Sequence, residues 1–365
     1  MSATMKLMSD SSISLLRQLT EAHSISGFEN EVRRIFQNEL GEYGKLGNDR
    51  LGSCYCQSVN TRKGPRILVA GHMDEVGFRV QAINKAGFLS FVPVGGWWGH
   101  NLLAQRVEIK TRSGRKITGV VASKPPHFLT KAERGKVQEL DVMFIDVAAS
   151  SSEEVREWGI SIGDPVAPVS SFDATAHPHR YLAKAFDNRV GMAGAIEVGR
   201  DLLNKVSANL IVAGTVQEEV GLRGSRTLAN VVKPDVAIVL EGPPADDTPG
   251  QDLSVSQGVL NGGVQIRLHD PSAIMDSRLV DLALRVAEEK SIKHQVTVRR
   301  SGGTDAGGFH LSNSGVPCIV LGVPARYIHT HNGIIDINDY HAMVEMTKSL
   351  VETLSHSEAE ALTRF

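Results

Sequence analysis

Histidines and carboxylates stand where short apolar runs end. Gly71-His72-Met73-Asp74 follows Ile67–Ala70, Gln217-Glu218-Glu219 follows Leu210–Val216, and Glu241-Gly242 follows Val236–Leu240. Tyr327-Ile328-His329-Thr330-His331 comes shortly after Cys318–Leu321. Runs this short and this rich in branched residues read as buried strands. Sheets that alternate with helices gather their ligands at the carboxyl ends of strands. Asp187 adds another acid where a helix begins near Asn188. Singly, each residue has a plainer reading: a solvated loop glutamate, a helix cap at Asp187, a core histidine at His72. Jointly they do not, because carboxylates crowded at one end of a sheet repel unless a cation neutralises them. Two imidazoles among them point to a metal. The set has no cysteine, so zinc, cobalt or manganese fit and a cysteine-type structural zinc does not.

Three details refine that chemistry. His72 and Asp74 are two apart in extended chain, so Asp74 is expected to accept the second ring N–H of His72 and fix its tautomer. Glu218 and Glu219 are adjacent and should point apart, one toward a metal and the other toward a water as general base. The glycine-rich stretch Gly302–Gly308 lacks the lysine of a phosphate-binding loop and the strand-to-helix setting of a dinucleotide fingerprint. It reads as a flexible structural loop, with Asp305 and His310 as outer candidates.

The surrounding pattern supplies elements to hold these residues. Ile13, Leu15, Leu16 and Leu19 form one helical stripe, and Val32, Ile35, Phe36 and Leu40 form a second after a Ser26–Glu29 capping-box spacing. From about 75 to 174 the pattern changes to short runs and turns: 88–92, 106–110, a Ser113-Gly114 turn, then 116–121. Ser151 and Glu154 start a short helix there. Trp97 and Trp98, in a glycine-rich loop, either face a partner or pack on the same β-rich segment. After 180, buried strands alternate with helices around 188–203, 276–290 and 339–354, the grammar of an α/β layer fold with a mostly parallel sheet. The expected organisation is a three-layer α/β domain, 1–74 and 175–365, interrupted by a β-rich, barrel-like insertion at 75–174.

Composition removes other classes. At 365 residues the chain is long for one small domain; about 150 residues per domain gives two. Apolar residues at 41% and a net charge of −2 exclude a disordered chain. They also leave no basic excess for nucleic-acid binding by phosphate neutralisation. No apolar segment is long enough for a membrane span, and the N-terminus does not read as a signal peptide. Three cysteines form no disulfide framework; Cys54 and Cys56 read as strand alternation and Cys318 as core. The expected compartment is the cytoplasm.

The ordered strings AGHMDEVG, KAFDNRVG, VQEEVGLRGS, LEGPPADDTPG, GGTDAGG and RYIHTH resemble the glutamyl aminopeptidase, or tetrahedral (TET) aminopeptidase, family of dinuclear metallopeptidases. Some members of that family have been labelled endoglucanases or carbohydrate-operon peptidases. The resemblance spans nearly the whole chain and implies two divalent metals bridged by Asp187. His72 and Glu241 would complete one site, Glu219 and His329 (rather than His331) the other, with Glu218 as general base and Asp74 supporting His72. It implies a cis peptide after Asp187, peptide substrates with free N-termini, and a homo-oligomer ranging from dimers built through the insertion to dodecamers. Many relatives carry aspartate where this chain has Glu241. Arg326, beside the last motif, would favour acidic substrates if free and is structural if paired. Three alternatives remain at this level: a metal-dependent deacylase of small amides, a glycoside hydrolase, which needs two carboxylates and usually no metal, and a scaffold without turnover.

Overall fold

The computed structural model describes residues 3–59, 63–354 and 356–363. Among them, a nine-stranded mixed sheet runs through the larger domain. At its centre the strands Asn209–Thr215, Arg66–His72, Val236–Glu241 and Cys318–Gly322 lie side by side and parallel. Val236–Glu241 is buried at every position, as a strand covered on both faces must be. The margins are antiparallel, with Cys54–Gln57 on one side and Val264–Asp270 on the other. The common direction of the four central strands brings His72 and Glu241 to one end of the sheet, with Glu218 and Glu219 just beyond Thr215.

The helix Phe186–Leu202 packs on three of these strands, and the N-terminal helices Ala3–Glu21 and Asn30–Leu40 pack on it. Its first turn sits unusually close to the sheet because glycines meet there. A Cβ on Gly71 would fall 2.7 Å from the Gly191 carbonyl carbon, and one on Gly191 would fall 2.6 Å from the Leu240 oxygen. This close approach seats Asp187 over the strand ends.

The Ser26–Glu29 spacing does not act as a capping box. The helix starts at Asn30 with Glu29 at its cap position and no side-chain cap bond. Ser26 Oγ instead donates to Asp74 Oδ2 at 2.6 Å, and Glu29 Oε1 accepts from the main-chain N–H of Gly27 and of Gln217. Both side chains brace the loops that carry the candidate site. The cap at Ser151 does form, accepting from the Glu154 N–H.

Between Gly77 and Pro168, six strands close into a barrel. Lys116–Ala122 alternates between exposed and buried positions, so the barrel has its own core, including Phe78, Val80, Leu89, Val107, Ile109 and Ile145. Trp97 packs on that core, its ring 4.6 Å from Phe78, while Trp98 is exposed. Cross-domain bonds hold the barrel to the larger domain. Lys110 Nζ and Lys116 Nζ reach Glu31 at 2.6 and 3.2 Å, and His23 Nε2 meets the Glu108 carbonyl at 3.2 Å. Among the described residues, no helix is long and apolar enough to cross a membrane.

Candidate metal centre

Asp187 occupies the middle of the candidate site. The chain reaches it through Ala185 in the left-handed region, at φ 56°, and the Asp187–Asn188 peptide is cis. Asn188 anchors the turn, donating to the Leu240 carbonyl at 2.7 Å and accepting from the Gly191 N–H at 2.9 Å. Asp187 Oδ1 then lies 3.1 Å from His72 Nε2, and Asp187 Oδ2 lies 3.3 Å from His329 Nε2. Glu241 Oε2 is 3.7 Å from His72 Nε2, and Glu219 Oε2 is 3.2 Å from His329 Nε2. Two ligand-type clusters result, His72/Asp187/Glu241 and Asp187/Glu219/His329, each with its donor atoms within 4.8 Å of one another. Glu218 belongs to neither; its Oε2 sits 3.9 Å from His72 Nε2.

Each histidine has its tautomer set from behind. His72 Nδ1–H donates to the main-chain carbonyl of Asp74 at 3.0 Å, and His329 Nδ1–H donates to the Gly96 carbonyl at 3.0 Å. The expected partner of His72 was the Asp74 carboxylate, which is 3.5 Å away. The strand ends at His72, so the chain turns and presents the Asp74 carbonyl instead. The carboxylate accepts the main-chain N–H of Glu218 at 3.0 Å and of Glu219 at 3.2 Å. Asp74 thereby positions both glutamates.

The charges do not balance without a cation. Burial raises Glu241 to about 8, with Asp187 adding to the effect. Burial also drives Glu218 well above the carboxylate range, reinforced by Glu241 and Glu219, and it raises Glu219 beside Asp187. In the histidines burial works against charge but is outweighed. Glu241, Glu218 and Asp187 hold His72 well above its ordinary value, and Asp187 and Glu219 lift His329 to about 11. The carboxylates that hold both imidazoles charged would equally stabilise a metal cation between them. Glu219 Oε1 and Glu241 Oε1 are buried with no hydrogen-bond partner among the described residues, a costly state for carboxylate oxygens unless a ligand satisfies them.

Other sequence candidates lie outside the clusters. His331 is buried, with Nε2–H donating to the Arg106 carbonyl at 2.9 Å, and burial pushes it down to about 4. Arg326 is paired bidentately with Asp247 at 2.7 and 2.8 Å. Gly302–Gly308 is only partly a loop, because Ala306–Phe309 is a helical turn. Asp305 is buried and accepts from Thr215 Oγ1, while His310 turns its ring to the Ala306 carbonyl.

The clusters open into a cavity of about 390 Å³. Arg267 and Arg299 also line it, and the sequence reading did not identify either. Arg267 Nη1 donates to Asp270 at 3.1 Å and Arg299 Nη2 to the Pro244 carbonyl at 2.9 Å. Arg299 Nη1 is 3.6 Å from Asp246. Each Nε is buried without a partner among the described residues. The signal available was faint: an arginine between Ile266 and Leu268, and another just after a short strand.

Known proteins resemble this chain over most of its length. The family model described as M42 glutamyl aminopeptidase matches residues 52–346. The glutamyl aminopeptidase of Lactococcus lactis is 34% identical, aligned over 96% of this chain and 98% of its own length. The crystal structure of a TET aminopeptidase from a marine sediment Thaumarchaeota archaeon superposes with a TM-score of 0.93 at 38% identity, covering 97% of this chain and 99% of that one. The Pyrococcus horikoshii TET1 peptidase, described as assembling into a tetrahedron or a large octahedral shell, is 29% identical with a TM-score of 0.83, over 94% of this chain and 100% of that one. With the family match, the relatives and the fold in agreement, this chain belongs to the M42 glutamyl aminopeptidase family and is a hydrolase of the aminopeptidase class.

Proposed function

We propose that the chain removes the N-terminal residue from peptides, using two divalent cations and Glu218 as general base. One cation would be held by His72, Asp187 and Glu241, the other by Asp187, Glu219 and His329. The observation that carries this reading is Asp187, whose two oxygens face different imidazoles at 3.1 and 3.3 Å. The fit is supported by the unpartnered buried oxygens of Glu219 and Glu241 and by an all-carboxylate and imidazole donor set, which suits zinc, cobalt or manganese. When bound, such ions make water a nucleophile at neutral pH and polarise a carbonyl oxygen. Glu218 takes a proton from the attacking water and returns it to the leaving amine nitrogen. Asp74 keeps Glu218 and Glu219 in register through their main-chain N–H groups. Arg267 and Arg299 also line the cavity, each beside a carboxylate, Asp270 at 3.1 Å and Asp246 at 3.6 Å.

A panel of aminoacyl chromogenic substrates, assayed with and without added metal, tests the reading. Prolonged chelation should abolish cleavage, and zinc, cobalt or manganese should restore it. Activity that survives rigorous metal removal would overturn the cation-dependent reading. Activity on acylated amides with none on aminoacyl substrates would favour a deacylase.

The barrel is proposed as the oligomerisation domain. It exposes Val92, Val120, Phe128 and Val142, apolar surface that a second copy would bury, and the similar Pyrococcus horikoshii TET1 peptidase is described as assembling into a tetrahedron or a large octahedral shell. Analytical ultracentrifugation should find an assembly of dimers or larger; a monomer at micromolar concentration would remove the proposal.

A further inference from the structure

The clusters are not confined to the α/β domain. His329 takes its tautomer from the Gly96 carbonyl, and Gly96 belongs to the barrel loop after the strand Leu89–Val94. This loop is anchored at Trp97. The indole Nε1–H donates to the Gly77 carbonyl at 3.0 Å, and the ring stacks on Phe78 at 4.6 Å. The same indole lies 5.9 Å from His331, whose Nε2–H holds the Arg106 carbonyl of another barrel strand. The segment His329-Thr330-His331 therefore grips the barrel twice, and Trp97 sits between the two contacts. Gly95 fits tightly behind them. It has φ +81°, and a Cβ there would meet Val76 Cγ1 at 2.6 Å and Glu219 Cβ at 3.4 Å. His72 has no such dependence, since its second nitrogen is held by Asp74 within its own strand-end turn.

We infer that Trp97 is a positioning residue for one of the two cations: the barrel loop it anchors orients His329, so the insertion completes the Asp187/Glu219/His329 cluster and leaves the His72/Asp187/Glu241 cluster to the larger domain. The inference rests on the proposed two-cation reading. Its physical basis is the hydrogen bond behind the ligand. Losing such a bond frees the imidazole to rotate or change tautomer, and outer partners of this kind are worth roughly 10–100-fold in metal affinity.

The test is Co2+ titration of the full-length chain, by calorimetry and by the visible absorption of the bound ion, in wild type and in Trp97→Ala, Trp97→Phe and Trp98→Ala. Wild type should bind two ions. Trp97→Ala should bind one with unchanged affinity and the other roughly 10–100-fold more weakly, with a matching loss of one spectral component. Trp97→Phe keeps the stacking and should recover most of the second affinity. Trp98 is exposed, so Trp98→Ala should match wild type. If wild type binds no Co2+, the two-cation reading fails. If wild type binds two ions and a folded Trp97→Ala binds both as tightly, or loses both equally, the positioning role is overturned. Should Trp97→Ala not fold, Trp97→Leu, which loses both the Nε1–H bond to Gly77 and the stacking ring, decides: selective weakening of one ion supports the role, and none overturns it.

Discussion

Glu218→Gln should retain both cations and lose roughly 10²–10⁴-fold in turnover, the usual contribution of a positioned general base. Glutamine matches glutamate in length, and the main-chain N–H that Asp74 accepts at residue 218 is unaffected. The change removes only the ability to take a proton. Glu218 sits outside both ligand clusters, so metal content should stay at the wild-type level. Steady-state kinetics should place the loss in kcat, with KM little changed, because the group acts on the proton in flight and not on the bound peptide. Glu219→Gln should behave differently: Glu219 faces His329 at 3.2 Å, so its loss should lower cation content first. A Glu218→Gln enzyme within a few-fold of wild-type kcat, or one that has lost a cation, would reassign the base.

Glu75→Gln should be the most destabilising single substitution near the site, by about 3–5 kcal/mol, as expected when a buried ion pair loses one partner. Glu75, Lys184 and Arg189 are all buried. Glu75 Oε1 is 2.6 Å from Lys184 Nζ and 3.0 Å from Arg189 Nη2, and its second oxygen accepts from Lys184 at 2.8 Å. The two cations also hold main-chain carbonyls, Lys184 at Ala22 and Arg189 at Leu19, Ser24 and Met73. Without the Glu75 charge, the two buried cations keep only main-chain carbonyls as direct partners. For a chain of 365 residues, at about 1.3 °C per kcal/mol, melting should fall by roughly 4–7 °C. The effect also depends on pH. Burial already lowers the Lys184 ammonium below the ordinary lysine range, and removing Glu75 lowers it further. The folded variant then binds fewer protons than the unfolded chain, so its stability rises with pH and its deficit shrinks toward the ordinary lysine range. Melting curves of both proteins from pH 7 to pH 10 measure this. An equal melting temperature at pH 7, or a deficit that grows with pH, would show that the network is not held by charge. The network adjoins the site in sequence as well: Glu75 follows Asp74, and Lys184 and Arg189 flank Asp187.

The residues of the clusters could be read before any coordinates, because a parallel sheet sends every central strand's carboxyl end the same way. His72, Glu218, Glu219 and Glu241 each follow a short branched apolar run, and that local pattern sufficed to gather them. The β-rich stretch was legible for a similar reason, since the two-residue alternation of Lys116–Ala122 is local. The partners behind the site were not legible. Ser26 carried a plausible capping pattern, yet it bonds to Asp74, 48 residues away. Asp74 was expected to hold the His72 ring; its carboxylate lies 3.5 Å from that ring, but its carbonyl takes the ring N–H and the carboxylate also accepts from the glutamate main chain. Arg267 and Arg299 carried no periodic signal, and only the closing of the cavity brings them to its wall.

Residue type and short-range spacing thus determined which side chains meet at the strand ends, because strand direction and alternation depend on near neighbours. Only the tertiary structure decided which oxygen faces which imidazole and which carbonyl fixes each ring. Those choices depend on hydrogen-bond partners that stand up to 233 residues apart, as Gly96 and His329 do.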